Sequence, residues 1–222
     1  ENAADEATLY VIDVDTNEVS KTDVIPGAKY ATTAWTPDSK GLYYEWLPTD
    51  PAIPVAERPG YCELRFHVLG TDPATNVQVH PATRDPKTFL GGQLSRDGRF
   101  LFVYIQRGWN ENDVWVKELA KDKEFRLLVK GRDATYMVEP YGDRFFITTD
   151  EGAPRRRVML ADAADADRAK WREVVPEDKD ATLEGAFVVG DRLVLSYLRN
   201  ASSELQVRAL DGSDVKKVAL PT

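Results

Sequence analysis

The sequence predicts an all-β fold built from repeated four-stranded units, and three observations predict it. A short pattern recurs four times, twice in full as Ala34-Trp35-Thr36-Pro37-Asp38-Ser39-Lys40-Gly41-Leu42-Tyr43-Tyr44 and Gln93-Leu94-Ser95-Arg96-Asp97-Gly98-Arg99-Phe100-Leu101-Phe102-Val103. Looser copies are Glu139-Pro140-Tyr141-Gly142-Asp143-Arg144-Phe145-Phe146-Ile147 and Val188-Val189-Gly190-Asp191-Arg192-Leu193-Val194-Leu195. Each copy is a strand, a tight turn on Asp or Gly, and a second apolar strand. Asp bonds its own backbone in such turns, and Gly tolerates positive φ. The copies recur every ~45–60 residues, the period of propeller blades. Each repeat also offers four strand candidates rich in Val, Leu, Tyr and Phe.

The elements follow in order. Leu9 to Val14 alternates as a strand, and Glu18 to Val24 returns beside it. They form the outer half of a blade whose inner strands are absent, over residues 1–28. Full blades are expected over approximately 29–81, 86–130, 134–176 and 182–221, so that 1–222 is a single partial propeller domain. Two insertions break the rhythm. Pro48 to Gly60 carries Pro48, Pro51, Pro54 and Pro59. Proline lacks a backbone donor, so this segment is expected to be a long, mobile surface loop. Ala161 to Trp171, rich in Ala, Asp, Arg and Lys, predicts a one- or two-turn helix. The sum is a β-propeller arc of about four and a half four-stranded blades. A propeller protects its edges by closing into a ring, so the chain is expected to be cut from a larger one, with end blades that present faces meant for neighbours.

Composition excludes several functions. The 222 residues are 42% apolar and 30% charged, with a formal net charge of −8. An acidic surface repels phosphate backbones, so no nucleic-acid partner is expected. The largest basic run, Arg155-Arg156-Arg157, fits a solvated strand edge. No stretch approaches the ~20 apolar residues of a membrane span, and no membrane partner is expected. Cys62 is the single cysteine, so no intrachain disulfide is available, which fits a reducing compartment. The chain opens on Glu1 without a visible secretory signal, and a piece of a longer protein is expected. In that setting the sequon Asn200-Ala201-Ser202 is taken as chance.

Catalytic and cofactor motifs are missing. His67 and His80 are the only histidines, too few with one cysteine for a structural zinc site. There is no G-x-S-x-G elbow, no P-loop and no G-x-G-x-x-G. His67, in the strand pattern Arg65-Phe66-His67-Val68, is expected to be structural, and neither histidine shows an acid–base setting. No catalytic residue, metal or cofactor is therefore expected in this chain. Ser95-Arg96-Asp97-Gly98 has the outline of a sialidase Asp-box turn but lacks its glycine and Thr-Trp pair.

Several segments resemble the prolyl oligopeptidase propeller. Tyr30-Ala31-Thr32-Thr33-Ala34-Trp35-Thr36-Pro37-Asp38-Ser39-Lys40-Gly41-Leu42-Tyr43-Tyr44 resembles that family's A-W-T-x-D-x-K-G-x-x-Y segment. Phe66-His67-Val68-Leu69-Gly70-Thr71-Asp72 is similar to its Y-H-x-L-G-T turn, and Pro86 to Arg99 to its P-K-W-x-G-G-x-x-S-x-D-G-R segment. Trp171-Arg172-Glu173-Val174-Val175-Pro176-Glu177 resembles W-x-x-x-V-P-E. The matches run in the family's order and are closest to its bacterial members.

The resemblance implies a serine peptidase (a prolyl endopeptidase) that cleaves short peptides after proline. A seven-bladed propeller caps an α/β-hydrolase domain holding a Ser-Asp-His triad, excludes folded proteins and admits oligopeptides. This chain would be the middle of that propeller, from the outer half of the second blade through the sixth. Its partners would be proline-containing oligopeptides and the catalytic domain of the same parent chain. A bacterial cytoplasmic or periplasmic location is expected, the cytoplasm favoured. Carried over by motif, Tyr30, Leu90 and Trp109 would line the pocket for the side chain two residues before the proline. Tyr30 supplies the aromatic usual at the first position. Leu90 replaces Met at similar volume. Trp109 is far larger than the Cys of animal members. Arg107 lies in the same loop and would face the cavity.

From residue pattern alone, Tyr30 and Leu90 fit ordinary inner-strand packing as well. Trp109 sits in the polar stretch Arg107-Gly108-Trp109-Asn110-Glu111-Asn112-Asp113, where an exposed indole marks a contact. Two other classes stay open: a free-standing propeller for protein–protein interaction, and a glycan-binding propeller. The first needs closure between the ends, which the half blade opposes. The second needs complete Asp-boxes and convergent carboxylates.

Overall fold

The computed structural model describes residues 7–28 and 32–220. Its regular elements are strands and three short 3-10 turns. The first sheet pairs β1 (Thr8–Ile12) with β2 (Val19–Pro26). The second holds β3 (Thr33–Trp35), β4 (Gly41–Trp46), β5 (Glu63–Val68) and β6 (Val77–His80). The third holds β7 (Thr88–Leu94), β8 (Phe100–Arg107), β9 (Glu111–Glu118) and β10 (Arg126–Val129). The fourth holds β11 (Tyr136–Tyr141), β12 (Arg144–Thr149), β13 (Arg157–Asp162) and β14 (Arg172–Val175). The fifth holds β15 (Thr182–Val189), β16 (Arg192–Arg199), β17 (Ser202–Ala209) and β18 (Lys216–Val218). One two-stranded and four four-stranded sheets, each paired in chain order, are the half blade and four blades that the repeat predicts.

By backbone contacts the chain forms two compact units, Glu1–Trp109 with Val114–Arg126, and Asn110–Asp113 with Leu127–Thr222. In the first unit, Ile25 and Ala28 meet Leu42 and Tyr44 between the first and second sheets. On the other face of the second sheet, Tyr43, Cys62 and Leu64 meet Leu90, Leu101, Val103 and Ile105 of the third. In the second unit, Phe146, Val158 and Leu160 of the fourth sheet meet Leu183, Leu193, Leu195 and Tyr197 of the fifth. Successive strand residues point to opposite faces, so adjacent side chains serve different interfaces.

The recurrent turns share a chemistry. Asp38 Oδ1 accepts from the Thr36 hydroxyl (2.7 Å) and Lys40 N–H (3.1 Å), and Thr36 Oγ1 accepts from Gly41 N–H (3.1 Å). One repeat later Asp97 Oδ1 accepts from the Ser95 hydroxyl (2.5 Å) and Arg99 N–H (3.0 Å), and Ser95 Oγ accepts from Phe100 N–H (2.8 Å). The looser copies are tighter hairpins. Tyr141 pairs with Arg144 and Val189 with Arg192, leaving Gly142-Asp143 and Gly190-Asp191 as two-residue loops. Gly142 (φ 56°) and Gly190 (φ 60°) adopt the left-handed conformation that such turns require.

The insertions depart from expectation. Within Pro48 to Gly60 a 3-10 turn begins, Val55–Tyr61, with Pro59 inside it. Arg58 Nε donates to Ile53 O (3.2 Å), and Arg84 N–H donates to Gly60 O (2.7 Å), fastening the segment's end to the approach of β7. Proline's fixed φ suits a 3-10 turn as well as a loop. Between Ala161 and Trp171, β13 continues through Asp162 and the helix shrinks to the 3-10 turn Arg168–Lys170, capped by the Asp167 side chain on Ala169 N–H. Three short acceptor side chains in that stretch, Asp162, Asp165 and Asp167, favour caps over helix interior.

His67 is structural, with a partner that its strand pattern did not reveal. It is wholly buried, with Nε2 2.7 Å from Asp23 Oδ1 and Nδ1 2.7 Å from Asn76 Oδ1. Asp23 also accepts from the Ser20 hydroxyl (2.6 Å) and Gly70 N–H (2.6 Å), which ties the first sheet to the second. Burial pulls the Asp23 carboxyl upward, but the bonds from Ser20, Gly70 and His67 outweigh it and hold it below its ordinary value. An acid with a depressed folded value stabilises the fold above its unfolded pKa, and this is lost as pH falls through the folded value.

Melting temperature should therefore fall steeply below about pH 4, and Asp23→Asn should flatten that limb; parallel limbs would remove Asp23 as its source. Asp23→Ala leaves His67 buried without its carboxylate, and a loss of about 3–5 kcal/mol in urea denaturation is expected. A second test concerns Gly212 (φ 87°), whose added Cβ would overlap the Val174 carbonyl oxygen. Gly212→Ala should cost about 1–3 kcal/mol, and an unchanged denaturation midpoint would show that the turn yields freely.

Candidate functional site

Of the four residues expected to face a cavity, Tyr30 lies outside the described residues. The other three belong to the third sheet: Leu90 on β7, Arg107 on β8 and Trp109 in the β8–β9 turn. β7 pairs antiparallel with β8, with Thr88 opposite Arg107 and Leu90 opposite Ile105. The start of β7 and the end of β8 thus lie at one end of the sheet. Thr88 fixes that entry: its hydroxyl donates to Asp85 O (2.7 Å) and lies 2.5 Å from the Thr83 hydroxyl.

Leu90 is 5% exposed and packs with Leu64, Leu101 and Ile105. Its side chain belongs to the interface between the second and third sheets. Phe89, one residue earlier, points to the opposite face and is 48% exposed. It is the side chain of this strand that presents apolar surface, and the motif comparison had passed over it. The glycines that follow obscured the alternation: Gly91 and Gly92 carry no side chain from which to read the faces. Gly92 belongs to Leu90's face, where an added Cβ would come within 2.5 Å of Leu64 Cδ1.

Arg107 closes β8 and is half-buried. Gly108 (φ 59°) turns the chain, and Trp109 stands at the turn, 91% exposed. An indole so exposed contributes little to the core, while strands β8 and β9 on either side fix its backbone. Phe89, Arg107 and Trp109 therefore share one end of one sheet: two aromatic surfaces and a guanidinium.

Among the described residues no group of three His, Cys, Asp or Glu side chains could hold a metal ion. The Asp23–His67 pair resembles the acid–histidine half of a triad, but both ring nitrogens are engaged and the ring has no exposed surface. It offers no lone pair to a substrate. His80 is half-buried, bonds Pro81 O through Nδ1 (2.9 Å) and is shifted downward by burial. A separate concavity of about 340 Å³ is lined by Tyr44, Trp46 and Arg65, with the Arg65 guanidinium 3.7 Å from the Trp46 ring centroid. None of the described candidates lines it.

Comparison with known proteins agrees with this architecture. Residues 1–222 match the family model described as prolyl oligopeptidase, N-terminal beta-propeller domain. A structure solved in a study of two prolyl endopeptidases is 58% identical, with a TM-score of 0.95 over all of this chain and 32% of its own. The prolyl endopeptidase of Elizabethkingia miricola is 22% identical over 224 residues, which is 100% of this chain and 31% of that protein. The dual-function macrocyclase-peptidase of Galerina marginata is 26% identical over 205 residues, 89% of this chain and 28% of that protein. The chain thus spans about a third of the length of these relatives. The match along its whole length, to a domain of the all-β blade architecture found here, places the chain in the prolyl oligopeptidase family, as its N-terminal β-propeller domain.

Proposed function

We propose that this chain is the substrate-gating part of a serine-type peptidase that cleaves short peptides after proline. In this reading an α/β-hydrolase domain of the same parent chain supplies nucleophile, base and oxyanion hole, and the propeller supplies selection. The carrying observation is Trp109: a large aromatic, 91% exposed, held at a hairpin turn in a chain that belongs to a peptidase family. Exposed aromatics on rigid supports give contact area at little entropic cost. Phe89 adds a second apolar surface at the same end of the sheet and is a better candidate than Leu90, whose side chain is committed to the core. Tyr30 remains a candidate on the motif match, and Arg107 on its place in the same loop as Trp109. Selection would work by shape and apolar contact with the peptide's side chains, and the chemical step would draw nothing from this chain.

Trp109→Ala in the full-length protein should raise KM for peptides extending two residues before the proline, with kcat changing less. The expected loss is about 1–2 kcal/mol in transition-state binding. A minimal substrate that stops at the proline should be nearly indifferent; equal losses on both substrates would overturn the assignment. The same variant should unfold within about 0.5 kcal/mol of the wild type, as exposed positions do. Leu90→Ala should instead cost about 2–5 kcal/mol of stability, as buried leucines do. A Leu90→Ala protein that melts normally but loses extended-peptide affinity would return Leu90 to the cavity wall.

A further inference from the structure

Glu45 sits where a carboxylate is least welcome. It lies on β4, 7% exposed, on the face that meets the third sheet. Its register partner Leu64 belongs to the core beside it, with Tyr43, Leu47, Cys62 and Leu90. Its recorded hydrogen bond is a long one, from Gly92 N–H of β7 to Oε1 (3.3 Å). β7 is the first strand of its sheet and pairs only with β8, so its other edge is open, and Glu45 spans the seam to reach that edge. The geometry has a counterpart in the second unit, where Val188 N–H of β15 donates to Glu139 Oε1 at 3.2 Å. The two links join residues 47 and 49 apart, close to the repeat length. In both, a glutamate of one sheet reaches the open edge of the next sheet's first strand.

We infer that Glu45 is a proton-dependent latch across the seam between the second and third sheets, holding the inner edge of β7 closed while neutral and loosening it when ionised. Among the described residues a carboxylate in this seam has one weak donor and no cation bonded to it, so ionisation draws water toward it. Burial, only partly offset by the Gly92 bond, pushes its pKa up to about 7.

Of the neighbouring groups whose acidity is shifted, Glu45 is the one displaced to about 7. On β4, Tyr43 shares its face and burial pushes the phenol upward. Beside β5, burial with Glu45 and Glu63 pushes the Cys62 thiol up to about 12. On β6, His80 lies opposite Leu64 and is shifted downward, so it is already neutral there. Glu63, Arg65 and His67 alternate with Leu64 and Phe66 and occupy the opposite face of β5, where Glu63 accepts from Arg65 Nε at 2.8 Å. Glu57 and Arg58 belong to the 3-10 turn that packs near β7. β3 and β7 carry no ionisable side chain, and on β8 Arg107 alternates onto the face of Leu101, Val103 and Ile105, at the end of the strand opposite Thr88, while Tyr104 alternates onto the other face.

The sign follows from the raised value. Relative to an opened seam, where Glu45 regains an ordinary carboxyl pKa of about 4.5, the closed seam is most favoured at low pH and loses ground as pH rises through about 7. Between pH 6 and 8.5 that linkage amounts to about a tenfold increase in the opening equilibrium. This inference concerns the seam and holds whether or not the cavity reading of Trp109 does.

Hydrogen–deuterium exchange of the peptide covering Thr88–Leu94, in the full-length protein and corrected for intrinsic pH dependence, tests it. Wild-type exchange should rise about tenfold from pH 6 to 8.5. Glu45→Gln keeps an acceptor but cannot ionise, and should abolish the rise; His80→Gln should preserve it. Constant wild-type protection across the range overturns the latch even if the Glu45 variant does not fold. So does a rise that survives in Glu45→Gln or vanishes in His80→Gln.

Discussion

The structure depends on one packing constraint: the second strands of three of its sheets, β4, β8 and β12, bury residues on both faces. Phe100, Leu101, Phe102 and Val103 of β8 are each 1% exposed or less, although they alternate between faces. An antiparallel sheet with one wet face alternates apolar and polar residues. β8 does not, so the third sheet could not stand alone. Stability must come from face-to-face contact between successive sheets, as in repeat proteins generally. The clusters at Leu42–Ile25, Leu64–Leu90 and Leu160–Leu195 are three instances of it, each within one compact unit.

Apolar contact supplies the energy but not the register, since one greasy face slides easily over another. Directional polar links do that work here. Asp23, His67, Asn76 and Tyr44 form a connected network between the first two sheets, with Asn76 Nδ2 donating to Tyr44 Oη at 2.8 Å. Glu45 and Glu139 make the analogous connection at the open edges of β7 and β15. A buried charge that is paired and hydrogen-bonded restricts alternatives more than it stabilises. Glu45 differs from Asp23 in having one long bond where Asp23 has several short ones, and its acidity moves in the opposite direction for that reason.

The repeat and its turns were legible in the sequence because turn chemistry is local. Thr36 with Asp38 and Ser95 with Asp97 close their own loops, so the residues that announce the turn also make it. The half blade and four blades followed from spacing alone. What could not be read was set by partners far along the chain. The spacing of His67 and Asp23, 44 residues apart, carries no local signature. Pro48 to Gly60 has loop composition, yet its end is fastened by a bond from Arg84 N–H, far outside the segment. Leu90 shows the subtlest limit. A family motif places a residue along the strand to within one position, but a shift of one position changes the face. Phe89 therefore carries the exposed surface and Leu90 the buried one.

Cys62 has a consequence for covalent chemistry. The thiolate is the reactive form of cysteine, and burial together with two nearby acids keeps this sulfur protonated far beyond neutrality. At 4% exposure it is also closed to approach. The sole sulfhydryl is thus silent toward alkylating agents and peroxide while the fold holds. A cysteine placed by substitution on an exposed turn such as Gly190-Asp191 would be the one accessible thiol of the chain, and a single spectroscopic or cross-linking label could be attached there without first removing the native residue.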